Sequence, residues 1–318
     1  MRVRKLLTIS VAAVTAATLC FATAAQASPG SLRILLVETQ GASEFGSFIT
    51  ALKAKPGVAT VDDFNGFTGT PSAATLAGYD LIVSTGDSAY QDPVLYGNRL
   101  ADYVDAGGPV IQFAYDNWDP IDAHPTGRFE SGGYPPFIPG NNDNNATTLG
   151  PPLVPNSPLL AGVISFKTGL NTTDALAPGA TLLARYTDGR NAIATKGRIV
   201  SVTSSPGYDS DIPVDRIDPI DPAAQLALNT ANVLGRHNVT VKKKGSGKGK
   251  VTSNAGVKCG KTCTVALVNG DSITLRAKPK KGSAFTRWKG VAGCKKKRRC
   301  TLTPTANTTV KAKFEKLG

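Results

Sequence analysis

Between Ser28 and Gly235 the chain has no cysteine and a single histidine, His124. A thiolate nucleophile, a thiolate metal site and a disulfide are therefore excluded from that stretch. No GxSxG occurs, so a serine elbow of the hydrolase type is absent too. Beyond residue 27 no run approaches the roughly 18 apolar residues that a membrane-crossing helix needs. Carboxylates are scarce at the other end: from Arg236 to Gly318 only Asp271 and Glu315 face 22 Lys and Arg residues.

What is present divides the chain. Its 318 residues are enough for two domains at about 100 to 200 residues each, and 41% hydrophobic content is ordinary globular material. The net charge of +13 conceals a split, because residues 28–235 carry 21 Asp and Glu against 11 Lys and Arg, the reverse of the balance after 236. So abrupt an asymmetry places a domain boundary near residue 235. It also makes the basic segment the candidate contact with something anionic.

Residues 1–27 combine Arg2, Arg4 and Lys5 with an apolar run from Leu6 to Ala22 and with Ala25 and Ala27 ahead of Ser28. This is the pattern of a secretory signal peptide cut before Ser28; a retained anchor is the alternative. Cys20 follows Leu19 rather than a small residue, so lipidation is not expected and Cys20 leaves with the peptide. The expected product is exported, extracellular or noncovalently held at the cell surface, with no transmembrane segment.

The remaining cysteines, Cys259, Cys263, Cys294 and Cys300, all lie in the basic segment. In an oxidising compartment two disulfides are the first reading, and proximity favours Cys259 with Cys263 and Cys294 with Cys300. Four thiolates also suit zinc, although CxxxC and CxxxxxC are not its usual spacings. Short period-2 runs between turns at Gly245-Ser246-Gly247 and Asn269-Gly270-Asp271 predict a small β-sheet, with Val241, Leu267, Ile273, Leu275, Phe285, Trp288, Val310 and Phe314 as its core. Two cationic runs, Lys242-Lys243-Lys244 and Lys295-Lys296-Lys297-Arg298-Arg299, point to contact with anionic envelope polymers or other polyanions, against the alternative of a merely solvated surface. The three aromatics here are placed as core, which argues against sequence-specific nucleic-acid recognition.

The segments GSGKGKVTSNAGVKCGKTC, VNGDSITLRAKPKKGSAFTRWKGVAGC and CTLTPTANTTVKAKF resemble, in order, the bacterial divergent internalin-type (InlB) B-repeat domain. The resemblance implies a compact, mostly β, grasp-like appendage of secreted and surface proteins at 236–318, with no catalytic residues.

Residues 28–235 alternate strand and helix patterns: Leu32–Val37, Val58–Phe64, Tyr79–Ser84, Pro109–Ala114 and Arg198–Thr203 as strands, a hairpin about Asp188-Gly189-Arg190, and helices over 44–52, 95–105 and 223–234. Such alternation predicts a flavodoxin-like, doubly wound parallel α/β sheet. Residues 115–160, rich in Pro, Gly and Asn, read as a long irregular loop. LRILLVE, YDLIVSTGD, LADYVDAGGPVIQF, ARYTDGRNAIATKGRIVSVTSS and QLALNTANVLG resemble the class I glutamine amidotransferase-like superfamily, in particular its ThuA-like and β-galactosidase-trimerisation-like branches. Catalytic members use a cysteine on a strand-to-helix turn. Here the chain reads Ala114-Tyr115-Asp116-Asn117-Trp118 at that place, so amidotransfer is excluded and the domain is degenerate.

Ligands of open α/β sheets bind at the carboxyl ends of the strands. That edge carries Glu38, Gln40, Asp87, Tyr90, Tyr115, Asp116, Trp118, Asp119, His124 and Glu130, a mixture of aromatic faces and polar groups suited to a glycan or polyol. The competing reading has Asp116 and Asp119 capping turns and Trp118 filling the base of a loop. A carbohydrate-active hydrolase using Asp116 or Glu130 with His124 is the enzymatic alternative. No cofactor is called for. Asp209, Asp211, Asp215, Asp218 and Asp221 crowd a proline-rich loop whose hard oxygen ligands could bind calcium, although their spacing matches no EF-hand and Asp221-Pro222 also reads as a helix start; Asn141–Asn145 reads as a flexible loop tip.

Overall fold

A computed structural model describes residues 32–118, 123–207, 209, 220–259, 262–268, 271–294, 296–304 and 308–318. The expected signal peptide lies outside the described residues, as do Asp119, Asp211, Asp215, Asp218 and Lys295.

The first half alternates as its sequence pattern requires: β1 (Leu32–Glu38), α1 (Gly46–Ala54), β2 (Val58–Asn65), α2 (Ala73–Ala77), β3 (Leu81–Thr85), α3 (Pro93–Asp105) and β4 (Val110–Gln112). There follow α4 (Gly127–Ser131), β5 (Phe137–Asn142), β6 (Thr147–Pro152), β7 (Lys167–Thr168), β8 (Thr172–Leu176), β9 (Thr181–Tyr186), β10 (Asn191–Lys196), β11 (Ile199–Val202) and the closing helix α5 (Ile220–Leu234). A nine-stranded sheet runs β2-β1-β3-β4-β11-β10-β9-β6-β7. It is parallel from β2 to β11 and antiparallel beyond.

The parallel strands are apolar on both faces because helices cover both. Side chains alternate: Ile34, Leu36, Leu81, Val83 and Ile111 join Phe48 and Leu52 of α1 and Ala224 and Ala227 of α5 in one core, whereas Leu35, Val37, Ile82 and Val110 join Leu100 and Val104 of α3 in the other. At the start of α3, Asp92 accepts the Leu95 amide at 2.8 Å and Pro93 takes the first helical turn. The sheet is thus the expected doubly wound α/β type, extended by antiparallel strands.

Residues 115–160 are not an irregular loop. They contain α4, β5 and β6, which periodicity missed because FIPGNN and TTLGPP have no clean alternation and are held by partners distant in sequence, β8 and β9.

Eight further strands follow: β12 (Arg236–Lys244), β13 (Gly249–Ser253), β14 (Lys258–Cys259), β15 (Thr262–Val268), β16 (Ile273–Pro279), β17 (Ser283–Lys289), β18 (Arg299–Leu302) and β19 (Thr308–Lys316). The expected small sheet is two sheets, β15-β12-β19-β17 and β14-β13-β16-β18. Their inward residues share one core: Val239, Val241, Trp288, Val310 and Phe314 from the first, Val251, Ile273, Leu275 and Ala277 from the second. Of the expected core only Phe285 is partly rather than fully buried. Both proximity-favoured disulfides form, so the zinc alternative falls. Cys259–Cys263 joins edge strands of opposite sheets, while Cys294–Cys300 closes a loop that packs on Trp288, whose indole N–H donates to the Lys297 carbonyl at 2.8 Å.

Candidate functional site

Two regions hold the residues singled out from the sequence. The first is the carboxyl edge of the parallel sheet. β3 ends at Thr85 and leads through Gly86 to Asp87, and β4 leads into the turn Phe113–Trp118, where Phe113 accepts the Asp116 amide at 3.0 Å and Tyr115 accepts the Trp118 amide at 2.9 Å. A side chain at Gly86 would meet the Ala123 carbonyl at 2.6 Å, so glycine lets these two loops touch.

Within this edge the predicted residues separate into two environments. Asp116 is 1% exposed, Tyr90 and Tyr115 are buried, and the Tyr90 hydroxyl donates to Asp116 Oδ1 at 2.7 Å. Ser84 shares hydrogen bonds with the hydroxyls of Tyr90 at 3.2 Å and Tyr96 at 2.9 Å. Burial pushes the Asp116 carboxyl up to about 7 against the lowering hydrogen bonds of Ser84, Tyr90 and Gln112. Asp116 is therefore the centre of an internal polar cluster and does not line an open cleft.

The second environment is nearer the surface. The Trp118 ring is half-buried, 5.6 Å from that of Tyr115, whose hydroxyl donates to Asn144 Oδ1 at 2.5 Å. His124 Nδ1 donates to the Trp118 carbonyl at 3.0 Å, and its Nε2 lies 3.8 Å from Glu130 Oε1. His124, itself buried, thus joins the Trp118 backbone to the neighbourhood of Glu130, while Asp116 faces the interior. Asp87 is half-buried, its amide donating to Thr39 Oγ1 at 3.1 Å, and burial raises its carboxyl, opposed by a hydrogen bond from Gln40. None of these residues lines either of two concavities, one of about 360 Å³ beside Leu149, Pro152 and Val163 and one of about 270 Å³ beside Tyr134, Lys196 and Arg198.

Sequence reasoning missed a polar layer under the Asn141–Asn145 segment. Arg190 binds Asp143, Asn171 and Asp188 there and reaches the Asn145 carbonyl, so the asparagine run is tied down. Beside it Asp174 is buried and lifted to about 7 by that burial, against hydrogen bonds from Thr172 and Gly140. The aspartates weighed for calcium that are described serve elsewhere: Asp209 accepts the Ser47 amide at 2.8 Å and Asp221 pairs with Lys55 at 2.7 Å.

The second region is the outer surface of the basic module. On sheet β15-β12-β19-β17, inward Val241, Ala312 and Trp288 force their neighbours outward. The register then sets Lys242 opposite Lys311 and Lys311 opposite Lys289, and one row further Lys244 opposite Lys313 and Lys313 opposite Arg287. Six cations form two rows across three strands, and among the described residues the carboxylate paired with them is Glu315, 2.6 Å from Lys313. Lys243 points inward and is half-buried. On the other sheet Lys250 faces Lys278, and Arg276 faces Arg299, with Lys258 on the neighbouring strand. Lys296, Lys297 and Arg298 are exposed at the disulfide-closed tip.

Residues 238–318 match the divergent InlB B-repeat domain family. No curated protein matches the chain. Among solved structures it is similar to a ThuA-like protein from Bacteroides uniformis ATCC 8492 (13% identity over 68% of this chain and 96% of that one, TM-score 0.46). It is also similar to a glutamine amido transferase from Methylobacillus flagellatus (12%, 63% and 92%, 0.41) and to the β-galactosidase of Rahnella sp. R3 (16%, 89% and 41%, 0.41). A B-repeat domain with two disulfides is compatible with an extracellular surface protein.

Proposed function

We propose that the protein is a secreted, surface-associated binding or scaffolding protein whose basic B-repeat module holds it on anionic envelope polymers. The cross-strand cation rows carry this reading. Like charges set directly opposite one another weaken a sheet, and Lys242, Lys311 and Lys289 stand so with no ion pair among the described residues, where the one such pair in these rows is Lys313 with Glu315. Such an array concentrates positive potential on a flat surface and supplies salt-dependent affinity without sequence choice. The α/β domain is the ligand-bearing part, with Trp118, His124 and Glu130 as the place where a glycan or polyol would pack on the indole face. The hydrolase alternative is disfavoured by Asp116, which is spent on Tyr90 inside the fold.

Retention of the whole protein on cell envelopes and on an immobilised phosphate polymer, over a salt titration, tests the tether. Engagement of six cations by a single polymer strand gives a slope of log affinity against log salt of about −4. A protein that washes through at low salt would show the charge to be solvation alone.

A further inference from the structure

We infer that the basic module is bivalent: its two opposite faces each take a linear phosphate polymer, so that one protein bridges two polymer strands. This rests on the polyanion reading above and adds to it a geometry.

The two sheets meet through a single apolar core, so their outward residues point in opposite directions. On one side stand the two rows built by Lys242, Lys244, Arg287, Lys289, Lys311 and Lys313. On the other stand Lys250, Lys258, Arg276, Lys278 and Arg299, all exposed. The module holds only two carboxylates; Glu315 lies on the first face, and Asp271 precedes β16 rather than standing among the cations of the second. Neither face is therefore neutralised from within.

Packed sheets lie about 10 Å apart, and lysine side chains extend several ångströms beyond each. The charged planes are thus separated by about 20 Å, well over the Debye length of about 8 Å at physiological salt. The two faces consequently act as independent sites, and a strand bound to one neither neutralises nor crowds the other. Along each face successive outward cations are two residues apart, about 6.8 Å, with about 4.8 Å between strands. Lysine predominates on both. Its ammonium is a point charge rather than a bidentate fork, which suits successive single phosphates along a chain.

The test uses the whole protein with linear polyphosphate. With long chains, light scattering is expected to rise to a maximum near charge equivalence and to clear in polymer excess, as bridged networks form and are then capped. With an oligomer only long enough for one face, calorimetry is expected to give two oligomers per protein. The variants K242Q/K244Q/K289Q/K311Q and K250Q/R276Q/K278Q/R299Q should each bind one oligomer and no longer scatter. A wild-type stoichiometry of one overturns bivalency without reference to any variant. So does loss of all binding in one variant while the other behaves as wild type, or scattering that persists in both. Scattering before polymer is added would assign the bridging to contact between the basic module and the acidic domain of a second copy. Failure of the wild type to bind either probe would remove the tether reading itself, which is a different result from binding without bridging.

Discussion

Replacing Asp116 by Asn should make the protein more stable at alkaline pH and leave it nearly unchanged at acid pH. Asp116 is 1% exposed, and burial lifts its carboxyl from 3.8 to about 7. Between those two values the folded protein holds a proton that the unfolded chain has released. Stability therefore falls as pH rises through this window and levels off above about 7. For one such group the loss between pH 5 and pH 8 is about 2.5 kcal/mol, following from about 1.4 kcal/mol per pH unit. Asn keeps an oxygen that can accept from Tyr90, 2.7 Å away in the wild type, but carries no charge. Any fixed cost of the amide cancels when the effect of D116N at pH 8 is compared with its effect at pH 5. Urea unfolding followed by the far-ultraviolet helix signal reads the α/β domain, because every helix among the described residues lies there. The expected outcome is a D116N midpoint that shifts upward relative to wild type as pH rises. An equal shift at both pH values, of either sign, would refute the buried-carboxylate account. Asp174 is lifted to about 7 by the same cause, so a weaker pH dependence of the same sign should remain in D116N.

Reduction of the two disulfides should lower the stability of the basic module by about 2 kcal/mol for each short loop closed, and should leave urea unfolding of the cysteine-free α/β domain unchanged. Phe314→Ala, which empties the centre of the module's core, should cost about 3 to 5 kcal/mol and unfold that module in a denaturant titration while the helix signal persists. Gly97→Ala places a methyl 2.0 Å from the Thr126 carbonyl and should push the His124 to Glu130 segment off α3, read as faster amide exchange across residues 123–131 and a loss of more than about 2 kcal/mol. Arg128→Ala removes ion pairs of 2.7 Å to Asp102 and Asp105, but at that exposed position it should shift stability by less than about 1 kcal/mol.

The parallel half of the fold was legible because its signals are local: LRILLVE and YDLIVSTGD are apolar on both faces, and helical patterns stand between the strands. The antiparallel extension was not, since β5, β6 and β8 owe their conformation to partners remote in sequence. The edge residues were gathered by type, and spacing does not say which way a side chain turns. Asp116 follows a strand in the same way as Asp87, yet it turns inward onto Tyr90 and Ser84 while Trp118, two residues on, remains half-buried beside His124. The cysteine pairs were readable from proximity. The lysine rows were readable only in part. Alternation within VKAKF already sends Lys311 and Lys313 to the side opposite Val310 and Phe314, and the run of three lysines was conspicuous. What sequence could not supply is register. Lys242 meets Lys311 only because β12 and β19 pair in parallel, and Lys289 meets Lys311 only because a bulge after Phe285 returns Arg287 to the outer face. A conspicuous run is not the same thing as a surface: Lys243 sits in the middle of the run and turns inward, whereas the isolated Lys289 and Arg287 complete the two rows. The unit of charge in this module is the cross-strand row, and it exists only after the sheet has formed.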